Sequence, residues 1–90
     1  MNKRYHIFFS GEVQGVGFRY TARALASRYS INGWVKNLND GKVELEVEGN
    51  KNDLDVFLKD LKEEFKGHLA DIELQELPAS SEHVDFRIRF

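Results

Sequence analysis

Arg19 and the glycine-rich stretch it closes are the residues most able to do chemistry in this 90-residue chain. The stretch reads Gly11-Glu12-Val13-Gln14-Gly15-Val16-Gly17-Phe18-Arg19, with three glycines among nine residues. It lies between an apolar run, Tyr5 to Phe9, that reads as a strand and a segment, Tyr20 to Tyr29, that reads as a helix. A strand, a turn rich in glycine and a helix start together make an anion site. The first amides of a helix have no intrahelical acceptor, and the helix dipole favours negative charge beside them. Arg19 would set a planar, permanently charged fork at the mouth of that nest, a shape that suits phosphate. A cation at a helix start opposes the dipole, so its placement there points to an anionic partner. Taken alone, the glycines would fit a tight turn and Arg19 a surface charge. The rest of the chain favours a site.

The elements that must position this stretch follow from periodicity. In Tyr5 to Phe9, Ile7 and Phe9 share one face and His6 and Phe8 the other. Phe18, Ala22, Leu25, Ala26 and Tyr29 fall on one face of a helix, which Asn32-Gly33 is expected to end. Gly33 to Leu38 reads as a second strand, and Asn39-Asp40-Gly41 as a hairpin turn. In Lys42 to Glu48, Val43, Leu45 and Val47 alternate with Glu44, Glu46 and Glu48, giving a half-buried strand whose acidic face is expected to be solvated. Asn50 reads as an N-cap with Asp53 three residues on, close to a capping box. Leu54, Phe57, Leu58, Leu61 and Phe65 form the stripe of a second helix, stopped near Gly67. Ala70, Ile72 and Leu74 alternate as a fourth strand, Pro78 to Ser81 is a loop, and Val84, Phe86, Ile88 and Phe90 alternate as a last strand.

This order predicts an α+β, ferredoxin-like (split β-α-β) sandwich: an antiparallel sheet, two helices on one face, and an extra C-terminal strand, in one domain spanning 1–90. In that topology the first two strands run parallel and end at the same edge. The glycine loop leaves the first strand there, and Asn37 ends the second. Arg19 and Asn37, eighteen positions apart, should therefore meet.

Composition narrows the function. A formal net charge of −2 gives no general attraction to nucleic acid or anionic membranes. The absence of cysteine excludes a thiolate nucleophile and any Cys-ligated metal, and fits a reducing compartment. His6, His68 and His83 lack metal-ligand spacing and read as structural or exposed. No apolar run is long enough to span a bilayer, and Met1-Asn2-Lys3-Arg4 leads straight into a strand. The expectation is a cytoplasmic monomer with no membrane and no nucleic-acid partner.

Gly11 to Arg19, then Gly33-Trp34-Val35-Lys36-Asn37, then Asp40-Gly41-Lys42-Val43 and Gly49 resemble the acylphosphatase family over the whole chain. The resemblance implies hydrolysis of the carboxyl–phosphate bond of acyl phosphates to a carboxylate and inorganic phosphate, without metal or cofactor. It implies that Arg19 binds the phosphate and that Asn37 positions the attacking water. The expected phosphate-binding set is Gln14, Gly15, Val16, Gly17, Phe18 and Arg19, and the glycine-rich nest opening a helix predicts inorganic phosphate or sulfate as inhibitor. The side chains of Gln14, Tyr20 and Trp34 read as packing or loop-fixing, and Lys36 and Arg23 as surface charge. One departure is visible: Gly67 to Ile72 lacks the proline often found there.

The implied chemistry agrees with these residue types. A carboxylate leaving group needs no general acid, and loose phosphoryl transfer is catalysed mainly by positioning and charge stabilisation. A neutral amide orients water without repelling the phosphate, as a carboxylate would. Three other readings remain open. An RNA-binding sheet would use Phe8, but Glu44, Glu46 and Glu48 would face the RNA phosphates. A carbamoyl phosphate-handling domain of a larger maturation enzyme would carry the same motifs, although a chain of this length suggests a free-standing enzyme. A protein–protein module could keep the motif as a fold signature.

Overall fold

The computed structural model describes residues 1–90, and seven elements follow in order: β1 (Asn2–Gly11), α1 (Phe18–Arg28), β2 (Asn32–Asn37), β3 (Val43–Asn50), α2 (Lys51–Glu64), β4 (Leu69–Pro78) and β5 (Phe86–Arg89). Alternation decides which face of each strand turns inward. Tyr5, Ile7 and Phe9 of β1 lie opposite Val47, Leu45 and Val43 of β3, and Val35 of β2 lies opposite Leu45. All seven are buried. Phe18, Ala22, Leu25 and Ala26 of α1 and Leu54, Phe57, Leu58 and Leu61 of α2 join them in one cluster of 18 buried residues. Burying each large apolar side chain contributes about 1.5–3 kcal/mol. Tyr5 keeps its hydroxyl satisfied within this cluster: it donates to Asp55 at 2.7 Å and accepts from Lys51 at 3.0 Å.

The strand order is β4-β1-β3-β2-β5. β1 pairs antiparallel with β3 and β4, and β2 pairs antiparallel with β3. β1 and β2 are therefore parallel to each other with β3 between them, as the split β-α-β order requires. β5 adds to β2 in the parallel sense, so the fifth strand makes the sheet mixed. The result is the ferredoxin-like α+β sandwich. Asn50 caps α2 through its side chain, which accepts from the Asn52 amide at 2.9 Å. No helix is long and apolar enough to cross a membrane.

Three local expectations are corrected. α1 stops at Arg28, and Ser30, at φ 55°, takes the left-handed turn expected of Asn32-Gly33. Gly33 lies in β2, as the strand expected from Gly33 to Leu38 requires, and a Cβ there would come within 1.9 Å of the Glu46 carbonyl oxygen. The last strand is shorter than its alternation suggests: Val84 precedes it and Phe90 follows it, 82% and 87% exposed. The acidic face of β3 is not simply solvated. Glu46 and Glu48 are buried, because residues 80–83 cross over them.

Candidate active site

The loop between β1 and α1 is shaped by backbone conformations that side chains resist. Gly15 (φ 78°) and Gly17 (φ 81°) are left-handed, and a Cβ at either would meet nothing within 4 Å. Glycine is needed there for its dihedral freedom, not for room. Gly17 is the N-cap of α1 and offers no side-chain cap. The first amide to bond back into the helix is Thr21, to the Gly17 oxygen at 3.0 Å. The main-chain amides of Gly15, Val16, Gly17, Phe18, Arg19 and Tyr20 have no backbone acceptor. Six unpaired donors at the positive end of a helix are the kind of group that can receive an anion.

Buried side chains fix this loop from below. Val13 and Phe18 are 1% and 2% exposed. The Phe18 ring lies 4.9 Å from that of Phe9 and 4.8 Å from that of Phe65, tying the helix start to β1 and to the end of α2. Phe18 can therefore serve an anion only through its amide. The Gln14 side-chain amide is also engaged: Nε2 donates to the Leu38 oxygen at 2.7 Å and to the Lys42 oxygen at 2.9 Å.

Arg19 and Asn37 line one cleft of about 150 Å³, together with Val13, Gly15, Gly17, Phe18 and Tyr20. The shared strand edge brings together the two residues that sequence order separates. Asn37 is the last residue of β2, and its Oδ1 is buried without a hydrogen-bond partner in the protein. Native folds rarely leave such an atom unsatisfied, and a catalytic role or a bound water is among the explanations for one that is. Arg19 is held at one side only. Its Nη1 donates to the main-chain oxygen of Arg89 at 3.3 Å, and its guanidinium lies 4.8 Å from the Phe90 ring. Arg23, one turn along α1, is exposed beside Tyr20, with its guanidinium 5.4 Å from that ring. The alternation from Val84 to Phe90 puts Arg89 and Phe90 on a last strand but carries no sign that they reach Arg19.

The histidines read as structural or exposed fall into two groups. His68 is exposed. His6 and His83 converge on the β3 glutamates, away from the cleft. His6 Nδ1 is 2.9 Å from Glu46 and its Nε2 is 2.7 Å from Glu44, while His83 Nε2 is 2.6 Å from Glu46. Burial works to raise the Glu46 pKa. The hydrogen bonds from His6 and His83 and the charge of Arg4 outweigh it, leaving the carboxyl below the usual range. Glu48 is lowered in the same sense: burial opposes, and bonds from the Ser81 amide and the Ser80 hydroxyl prevail. No group of three or more His, Cys, Asp or Glu is arranged to hold a metal ion.

Fold and cleft together define a ferredoxin-like α+β sandwich with an unpaired-amide loop, an arginine and an asparagine at one sheet edge. A family model described as Acylphosphatase matches residues 5–88. The acylphosphatase of Bacillus pumilus is 39% identical over 89 residues, covering 94% of this chain and 96% of that protein. The crystal structure of acylphosphatase from Bacillus subtilis superimposes with a TM-score of 0.88 at 36% identity, covering 100% of both chains. Full-length HypF, in its phosphate- and nucleotide-bound form, contains a similar fold. The match has a TM-score of 0.84 at 30% identity and covers 100% of this chain but 12% of that one. The chain belongs to the acylphosphatase family.

Proposed function

We propose that this protein hydrolyses acyl phosphates to a carboxylate and inorganic phosphate, with the amides from Gly15 to Arg19 and the Arg19 guanidinium binding the phosphoryl group and Asn37 holding the water. The observation that carries the reading is the buried, unpartnered Oδ1 of Asn37 in the same cleft as the amide nest and Arg19. The full-length match to curated acylphosphatases supports the substrate class.

The water oxygen forms a bond to phosphorus as the bond from phosphorus to the bridging carboxyl oxygen breaks. The electron pair of that bond leaves with the carboxylate, which is a weak base and needs no proton. The proton lost by the water passes to the phosphate product. The amides and Arg19 stabilise charge on the phosphoryl oxygens, and Asn37 Oδ1 accepts one water hydrogen so that the oxygen lone pair faces phosphorus. Charge is handled by this chain's own donors, so the reading requires no metal or cofactor. Inorganic phosphate or sulfate should occupy the same nest and compete with substrate.

Loss of benzoyl phosphate absorbance, followed with a chelator present, tests the reading. Turnover with competitive inhibition by phosphate is the expected result. A folded protein that leaves benzoyl phosphate and acetyl phosphate intact would overturn it.

A further inference from the structure

The nest and Asn37 arrive on segments that no ladder joins directly. The nest follows β1 and Asn37 ends β2, yet β3 lies between these strands. The only hydrogen bonds between the glycine loop and the turn after Asn37 come from one side chain, Gln14. Both hydrogens of its amide are used, toward the Leu38 oxygen at 2.7 Å and the Lys42 oxygen at 2.9 Å. Those two carbonyls already close the hairpin, since the Leu38 amide donates to the Lys42 oxygen at 2.8 Å and the Gly41 amide to the Leu38 oxygen at 3.2 Å. Leu38 is the residue after Asn37. Gln14 therefore moors the loop one residue from the amide that is to hold water.

We propose that Gln14 is a positioning residue, which sets the distance between the phosphate nest and Asn37 by bridging the Leu38 and Lys42 carbonyls. The inference rests on the reading of Asn37 as the holder of the attacking water. Gln14 acts through geometry alone and touches no reacting atom. The nest itself keeps its shape without this bridge, because Val13 and Phe18 are buried beneath it and Gly15 and Gly17 set its backbone. Binding and turnover should consequently separate. A displacement of about 1 Å between reacting groups can cost about a hundredfold in rate.

The test compares Gln14→Leu, Asn37→Ala and the double variant by kcat on benzoyl phosphate, the phosphate inhibition constant and the denaturation midpoint. Gln14→Leu should lower kcat by about ten- to a hundredfold and move the phosphate inhibition constant by less than about threefold. In the Asn37→Ala background the same change should lower kcat by less than about threefold further, since the residue it positions is gone. Full multiplication of the two kcat losses would overturn the proposal, as would a phosphate inhibition constant that weakens in step with kcat. Asn37→Ala with wild-type kcat would instead remove the reading on which the proposal rests, and the proposal with it. Should Gln14→Leu fail to fold, Gln14→Glu decides. An ionised carboxylate cannot donate to the two carbonyls, whereas a protonated one restores one bond. Its kcat relative to wild type should rise as pH falls through the carboxyl range, and a flat ratio would overturn the proposal.

Discussion

Arg19 Nη1 donates to the main-chain oxygen of Arg89 at 3.3 Å. The contact links the start of α1 to the end of the last strand, which itself lies beside β2 with Arg89 opposite Lys36. Phe90 adds a ring 4.8 Å from the same guanidinium. β5 thus braces one side of the fork at the cleft. The remaining N–H donors of Arg19 make no other hydrogen bond within the protein, so they stay available to an anion.

Arg19→Lys should fail to replace that fork. An ammonium carries the charge but cannot make two parallel bonds to phosphoryl oxygens while bracing against Arg89. The expected loss is at least ~2 kcal/mol of transition-state stabilisation, about thirtyfold in kcat/KM. Turnover of the Lys variant close to wild type would reduce Arg19 to a surface charge.

Phe90→Ala separates the brace from the fold. Phe90 is 87% exposed, so its loss should leave the denaturation midpoint in place. Removing an exposed cation–π contact worth about 0.5–1 kcal/mol should raise the phosphate inhibition constant about two- to fivefold. An unchanged constant would mean that the ring does not help to hold Arg19.

The parts of this arrangement that sequence could carry are those governed by period and order. The stripes of Phe18-Ala22-Leu25-Ala26 and Leu54-Phe57-Leu58-Leu61 name the buried helix faces, and the buried face of β3 follows from alternation. The parallel relation of β1 and β2 follows from the crossover helix, which is why Arg19 and Asn37 could be placed at one edge. Period cannot say what lies across a face. Glu44, Glu46 and Glu48 alternate like a solvated stripe, and the path of residues 80–83, with Arg4 and His6 beside Glu46, covers two of them. Nor does a strand of four residues, Phe86–Arg89, carry enough pattern to choose its neighbour, so its meeting with Arg19 was hidden. Gly33 reads both as part of a helix stop and as the start of a strand, and its close approach to the Glu46 carbonyl, which belongs to the strand, is a tertiary contact with no local signature.

Asn37→Ala should separate catalysis from binding. The nest and Arg19 remain, so the phosphate inhibition constant should stay within about threefold of wild type while kcat falls by tenfold or more. Asn37 lies at a strand end outside the buried core, so the denaturation midpoint should change little. A plain turn residue would give the reverse, with stability lowered by roughly 1 kcal/mol and kcat per folded molecule unchanged. A kcat within about threefold of wild type, under ~1 kcal/mol, would assign the water to another residue.

Glu46→Gln should be destabilising at neutral pH and much less so in acid. Glu46 lies within hydrogen-bonding reach of His6, His83 and Arg4, at 2.9, 2.6 and 3.4 Å. A hydrogen bond to a charged group contributes about 1.5–3 kcal/mol, so losing the carboxylate should cost about 2 kcal/mol at pH 7. The sign of the pH effect follows from the lowered native-state pKa of Glu46. Between that value and the ordinary glutamate range the unfolded chain binds more protons than the native one, so stability rises with pH. The contribution is complete above the ordinary range and is lost as pH falls through the native value. Glu48, lowered in the same direction, adds to the acid limb of both proteins and does not distinguish them. Urea midpoints of wild type and variant, measured at pH 7 and in steps down through the carboxyl range, should converge. A gap that stays constant across that range would mean that the carboxylate's charge contributes nothing to holding residues 80–83 against the sheet.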